Sequence, residues 1–467
     1  MGEYISVLIN SKLVLKGLHF GLGGVILDPD HGRARKKQDG EEHGTLQPFN
    51  PFWITKVNRP TLFSKHVLEW NMSNRPKLAG IVTEYRKFSH GQHICDRFLE
   101  GYGWQGKHHR PDMDLVSLYV DQRPEGDLSE DRAERFPHMT IYQTVADALL
   151  CGTDTLAVDG VILVGEHGKY DTNEKGQRLY PRYELFKQIV AVFKLTGKTC
   201  PVFNDKHLSW NWDWAREMYD ISQEMGFAFM AGSSLPVTYR TPAIDFPYGE
   251  ETSEAVCVAY GGVDSYDFHA LETLQCMVER RKGGEAGVTW LEAYRGDRFW
   301  EAHGGGVWPR DLFEAALCRS HTLKPAREGF NHVFPTVDEL KKLVEDPVAY
   351  QYGHGDGLVC TMVLMRGLVE DFNFAARMGD GRILSTQMYL PMPPARTTLA
   401  NFFSPQVYHI EQMILNGEAS YPVERTLLTT GLVAAAVESL HREQVRVETP
   451  HLSIRYRALE GSTFWNG

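Results

Sequence analysis

From residue 77 onward the chain alternates short apolar runs with amphipathic ones. Residues 78–83 and 115–120 are apolar runs of strand length, and between them residues 89–100 set apolar side chains at helical spacing. Segments 145–151 and 185–195 read as helices, segments 159–164 and 200–204 as strands, and Trp212–Met225 as a helix leading to a strand at 228–231. This order of strand, helix, strand predicts a Rossmann-like, doubly wound parallel α/β sheet ending near Ser234.

Beyond Pro242 the texture changes. Segments 288–294, 358–365, 371–377 and 383–390 read as strands without long helices between them, which predicts a second, α+β domain with an open, mostly antiparallel sheet. The helix expected at 269–279 has Leu271, Leu274 and Val278 on one face and His269, Glu272, Cys276 and Glu279 on another, which is read as facing a cleft. The charge run from Glu279 to Glu285 is expected to be a solvated helix end, and residues 171–182 a solvated loop whose Tyr180 to Arg182 stretch is a candidate lid. Residues 1–76, rich in Gly, Pro and His, read as an irregular extension. The expected domains are therefore 1–76, 77–240 and 241–467.

Composition narrows the classes. At 467 residues the chain exceeds one ordinary core. A net charge of -11 leaves no electrostatic footprint for nucleic acid. No apolar run reaches the roughly 18 residues that a membrane helix needs. The seven cysteines are scattered without a CxxC pair, which suits reduced thiols and a cytoplasmic protein, so zinc held by thiolates is not expected. Lys12 and Lys16 interrupt the N-terminal apolar stretch, secretion is not expected, and the sequon Asn71, Met72, Ser73 is expected to go unused.

The candidate chemistry gathers at strand ends, where ligands bind in open α/β sheets. One apolar run closes on Asp205, Lys206 and His207, and the preceding one on Glu166 and His167. Lysine and histidine beside a bound hydroxyl suit proton transfer near neutral pH. The same acids and imidazoles also suit a divalent metal, zinc, manganese or iron, with Glu166, His167, His207, His269 and Glu272 as ligands.

These parts resemble the glucose-fructose oxidoreductase and inositol dehydrogenase family (Gfo/Idh/MocA), over residues 77–455. Asp205, Lys206 and His207 look like the family's Glu-Lys-Pro strand end. Asp267 to Glu272 looks like its His-x-x-Asp helix, and residues 411–442 like its closing helix. The resemblance implies a homo-oligomeric NAD(P)-dependent oxidoreductase acting on a small sugar- or polyol-like substrate. It makes Lys206 and His269, with Asp205 and His207, the catalytic candidates. The cofactor positions are Thr83, Glu84, Arg86, Ser89 and Asp121. Two departures stand out. No glycine occurs from Thr83 to His90, where the family has Gly-x-Gly-x-x-Gly, and Asp121 lies 38 residues after Thr83 rather than the usual ~20, across an inserted loop at 101–114. Loss of the dinucleotide would leave a metal-dependent lyase, epimerase or hydrolase as the alternative.

Overall fold

A computed structural model describes residues 75–325, 334–395, 397 and 399–465. The N-terminal extension, apart from Arg75 and Pro76, and the sequon lie outside them. Six strands, β1 (Lys77–Val82), β2 (Asp114–Val120), β3 (Thr140–Tyr142), β4 (Gly160–Val164), β5 (Val202–Asp205) and β6 (Phe229–Gly232), form one sheet in the order β3-β2-β1-β4-β5-β6. Every pairing in it is parallel. The strand order reverses between β1 and β4, and in open α/β sheets ligands bind in the crevice at the carboxyl ends of strands beside such a reversal.

Helices α1 (His90–Glu100), α2 (Val145–Leu150), α3 (Arg182–Thr196) and α4 (Trp212–Met225) supply the crossovers. Their ends follow local chemistry. Ser89 caps α1 by accepting from Gln92 N, Asn211 caps α4 by accepting from Trp214 N, and Gly226 closes α4 at a φ of 67°. The inserted loop at 101–114 is ordered by a hairpin, Tyr102–Trp104 against Lys107–His109.

The second sheet has eight strands: β7 (Arg240–Thr241), β8 (Thr252–Ala259), β9 (Val288–Arg295), β10 (Val348–His354), β11 (Val359–Leu364), β12 (Phe372–Met378), β13 (Ile383–Met388) and β14 (Val447–Glu448). Their order is β14-β9-β10-β11-β8-β12-β13-β7, and all neighbours are antiparallel except β8 with β11. Both faces are covered. Along β8, Ala255, Cys257 and Ala259 join the main core, while Val256 and Val258 meet Leu312 and Phe313 of α6 (Arg310–Leu317) in a second core, as a period of two requires.

Helix α5 (Asp267–Val278) is buried on every side. The single closing helix expected at 411–442 is instead two, α7 (Ser404–Asn416) and α8 (Glu424–His441), because Gly417 turns the chain at a φ of 73° and Pro422 follows before α8 begins. The charge run after α5 is also not solvated. Arg281 pairs with Glu285, and Glu279 with Arg425 of α8, all four buried. The seven cysteines form no disulfide, and among the described residues no helix is long and apolar enough to cross a membrane.

Candidate active site

Lys206 leaves β5 with a φ of 67°, a left-handed conformation that costs a non-glycine residue of order 1 kcal/mol and persists only where neighbours hold it. Its N–H donates to Gly232 O at 3.1 Å, tying it to the end of β6. The side chain then reaches across to the mixed-sheet region, donating from Nζ to Ser265 O at 2.8 Å and lying 3.1 Å from His269 Nε2. An ammonium offers only donors, so His269 Nε2 accepts and its proton resides on Nδ1. Burial, then the charge of Lys206, push the His269 imidazole well below its ordinary value, which keeps it neutral. The two candidates 63 residues apart are thus brought into contact.

They wall a cavity of about 240 Å³, together with Glu166, His167, His90 and Phe403. Glu166 pairs with Arg182 and lies 3.7 Å from Lys206 Nζ. Burial acts to raise its carboxyl, but the charges of Lys206 and Arg182 prevail and hold it below the usual carboxylate range. His167, also at positive φ (73°), is pushed to about 3 by burial and then by His90. His90 was not among the expected site residues. It opens α1 and places Nδ1 2.6 Å from Oδ2 of the fully buried Asp205, with its ring against His167 and Phe403.

Other expected members point elsewhere. His207 is buried with Nε2 3.1 Å from Arg182 Nη1, and it does not line the cavity. Arg182, expected in a solvated loop or lid, is fully buried, since its guanidinium serves both Glu166 and His207. Of the polar face expected on α5, only His269 lines the cavity. Glu272 accepts from Ser233 N at 2.9 Å and from the Ser233 hydroxyl, Cys276 lies by Arg240, and Glu279, beyond the helix end, pairs with Arg425. The proposed metal ligands Glu166, His167, His207, His269 and Glu272 therefore do not converge, and among the described residues no cluster of three or more His, Cys, Asp or Glu is arranged to hold a metal ion.

The chain itself covers the carboxyl ends of β1 and β2 beside the crevice at the strand-order reversal. Thr83 Oγ1 donates to Glu166 O at 2.7 Å, Gln122 exchanges hydrogen bonds with the Lys169 backbone, and Tyr170 OH donates to Asp121 Oδ2 at 2.6 Å. Residues 166–170 thus run from the end of β4 over β1 to β2, where a dinucleotide would lie. Glu84 is paired with Arg86 at 2.7 Å, and Ser89 Oγ accepts from Arg86 N and Gln92 N. As folded, the five positions expected to hold NAD(P) are engaged with their own chain. A Cβ on Gly91 would stand 2.6 Å from Glu84 O, so this glycine permits the close approach of α1 to the loop after β1.

No family model and no curated protein sequence matches the chain. Among solved structures, GenD2 from gentamicin A biosynthesis, in complex with NAD, matches at 12% identity with a TM-score of 0.50, over 84% of this chain and 99% of that one. A myo-inositol dehydrogenase from Corynebacterium glutamicum ATCC 13032 matches at 13% identity and a TM-score of 0.47, over 80% and 98%. A probable dehydrogenase from Thermotoga maritima matches at 13% and 0.49, over 80% and 99%. The parallel sheet in dinucleotide-fold order, the mixed sheet beside it and the likeness to GenD2 together give the chain the two-part fold of the Gfo/Idh/MocA dehydrogenases.

Proposed function

We propose that the chain is an oxidoreductase of the Gfo/Idh/MocA type acting on a small hydroxylated, sugar- or polyol-like substrate in the cavity between the two sheets. The contact of Lys206 with His269 carries this reading. A substrate hydroxyl placed there meets a neutral imidazole able to take its proton and an ammonium able to stabilise the oxygen left behind. Oxidation also needs a hydride acceptor. NAD(P) is the acceptor this reading requires, and it is admitted only if residues 166–170 leave the ends of β1 and β2.

That covered crevice favours a second reading. The same pair would act on a carbon acid, a hydroxyketone whose carbonyl oxygen accepts from Lys206, in an isomerase or epimerase that needs no dinucleotide. Mass spectrometry of the natively purified protein, followed by NADH titration read by fluorescence, separates the two. Retained NAD(P), or NADH binding at micromolar concentration, supports the oxidoreductase. No binding at millimolar NADH, with deuterium wash-in from D2O into a hydroxyketone, supports the second reading.

A further inference from the structure

We infer that His90, oriented by Asp205, is a second catalytic acid–base residue, and that with His269 it gives the cavity a two-base proton transfer. The inference rests on the second reading above. Two observations carry it. First, His90 and His269 line one cavity from different elements, His90 from the start of α1 on the parallel-sheet side and His269 from α5 on the mixed-sheet side. Second, His90 is held as a catalytic imidazole is held. Its Nδ1 lies 2.6 Å from Asp205 Oδ2, which fixes the ring and leaves Nε2 as the nitrogen for a ligand. The side chain retains 18% exposure while its carboxylate partner has none.

The chemistry balances without an oxidant. One imidazole takes H+ from the carbon beside the carbonyl, and the C–H electron pair moves into an enediolate whose oxygen accepts from Lys206 Nζ. The other imidazole returns H+ to the opposite face, so the configuration at that carbon inverts and the substrate is neither oxidised nor reduced.

The test uses the full chain with 2-keto-myo-inositol in D2O, following deuterium at the carbon beside the carbonyl by NMR and the epimer by chromatography. The wild-type protein is expected to do both. His90→Gln is expected to keep wash-in through His269 while epimer formation falls about 100-fold or more. Asp205→Asn, at unchanged melting temperature, is expected to lower epimer formation while wash-in through His269 persists, because the His90 ring loses the partner that orients it. His90→Asn is read the same way should His90→Gln not fold. Epimer formation at the wild-type rate in the His90 variant overturns the inference alone. Absence of wash-in by the wild-type protein overturns the reading beneath it and the inference with it.

Discussion

At the residue scale the cavity depends on the contact of Lys206 with a neutral His269. Lys206→Met removes the donor to Ser265 and to the substrate oxygen but leaves Glu166 paired with Arg182, so the fold is expected to survive while turnover falls at least about 100-fold. His269→Ala is expected to behave alike, and equal losses of turnover and melting temperature would mark both as structural. Glu272 gives a pH signature. Burial pushes its carboxyl up from an ordinary 4.5 to about 7, against the pull of the Ser233 hydroxyl and N–H. Between those values the unfolded chain has lost the proton that the native chain keeps. The contribution of Glu272 to stability is thus fully present below pH 4.5 and is lost as pH rises to about 7, about 3 kcal/mol in all. Glu272→Gln is expected to flatten that slope in urea unfolding followed across pH. Lys206 and His269 were legible in the sequence because each sits at a recognisable element end. His90 was not, since its partner Asp205 comes 115 residues later and only the fold pairs them.

At the element scale the parallel sheet was readable because strands buried on both faces are continuous apolar runs, as the all-buried β4 shows. The mixed sheet was less so. β8 opens on Thr252, Ser253 and Glu254, and its apolar residues are small, so its central place, paired with both β11 and β12, is set by partners more than 100 residues away. The break between α7 and α8 was written in the sequence as Gly417 and Pro422, the turn signals that separate the two apolar stretches. Helix α1 offers the sharpest test. Its second residue, Gly91, would place a Cβ 2.6 Å from the Glu84 carbonyl, which is backbone and cannot swing away. Gly91→Ala is therefore expected to cost about 1–3 kcal/mol in urea unfolding despite its gain in helix propensity. A stabilised variant would show that the loop after β1 yields freely, and with it the crevice that residues 166–170 cover.

At the scale of the whole molecule the site requires two sheets to keep their register, because Lys206 comes from one region and His269 from the other. Helix α8 touches α4 of the parallel-sheet region and α5 and β9 of the mixed-sheet region. Its Arg425 is bound to Glu279 through two hydrogen bonds of 2.9 and 2.5 Å, with Tyr456 OH donating to the same carboxylate at 2.9 Å. Both charges are buried, so removing one leaves the other uncompensated. Arg425→Met is expected to destabilise by about 3–5 kcal/mol, and adding Glu279→Gln to recover part of that loss. Because α8 joins both regions, tryptophan fluorescence and far-UV circular dichroism are expected to report one coincident urea transition in each variant. Trp210, Trp212 and Trp214 lie on the parallel-sheet side, and Trp290 and Trp308 on the mixed-sheet side. Separate transitions in Arg425→Met would mean that the contact between Lys206 and His269 is kept by local packing at the cavity, and that the buried ion pair holds only the mixed-sheet region together.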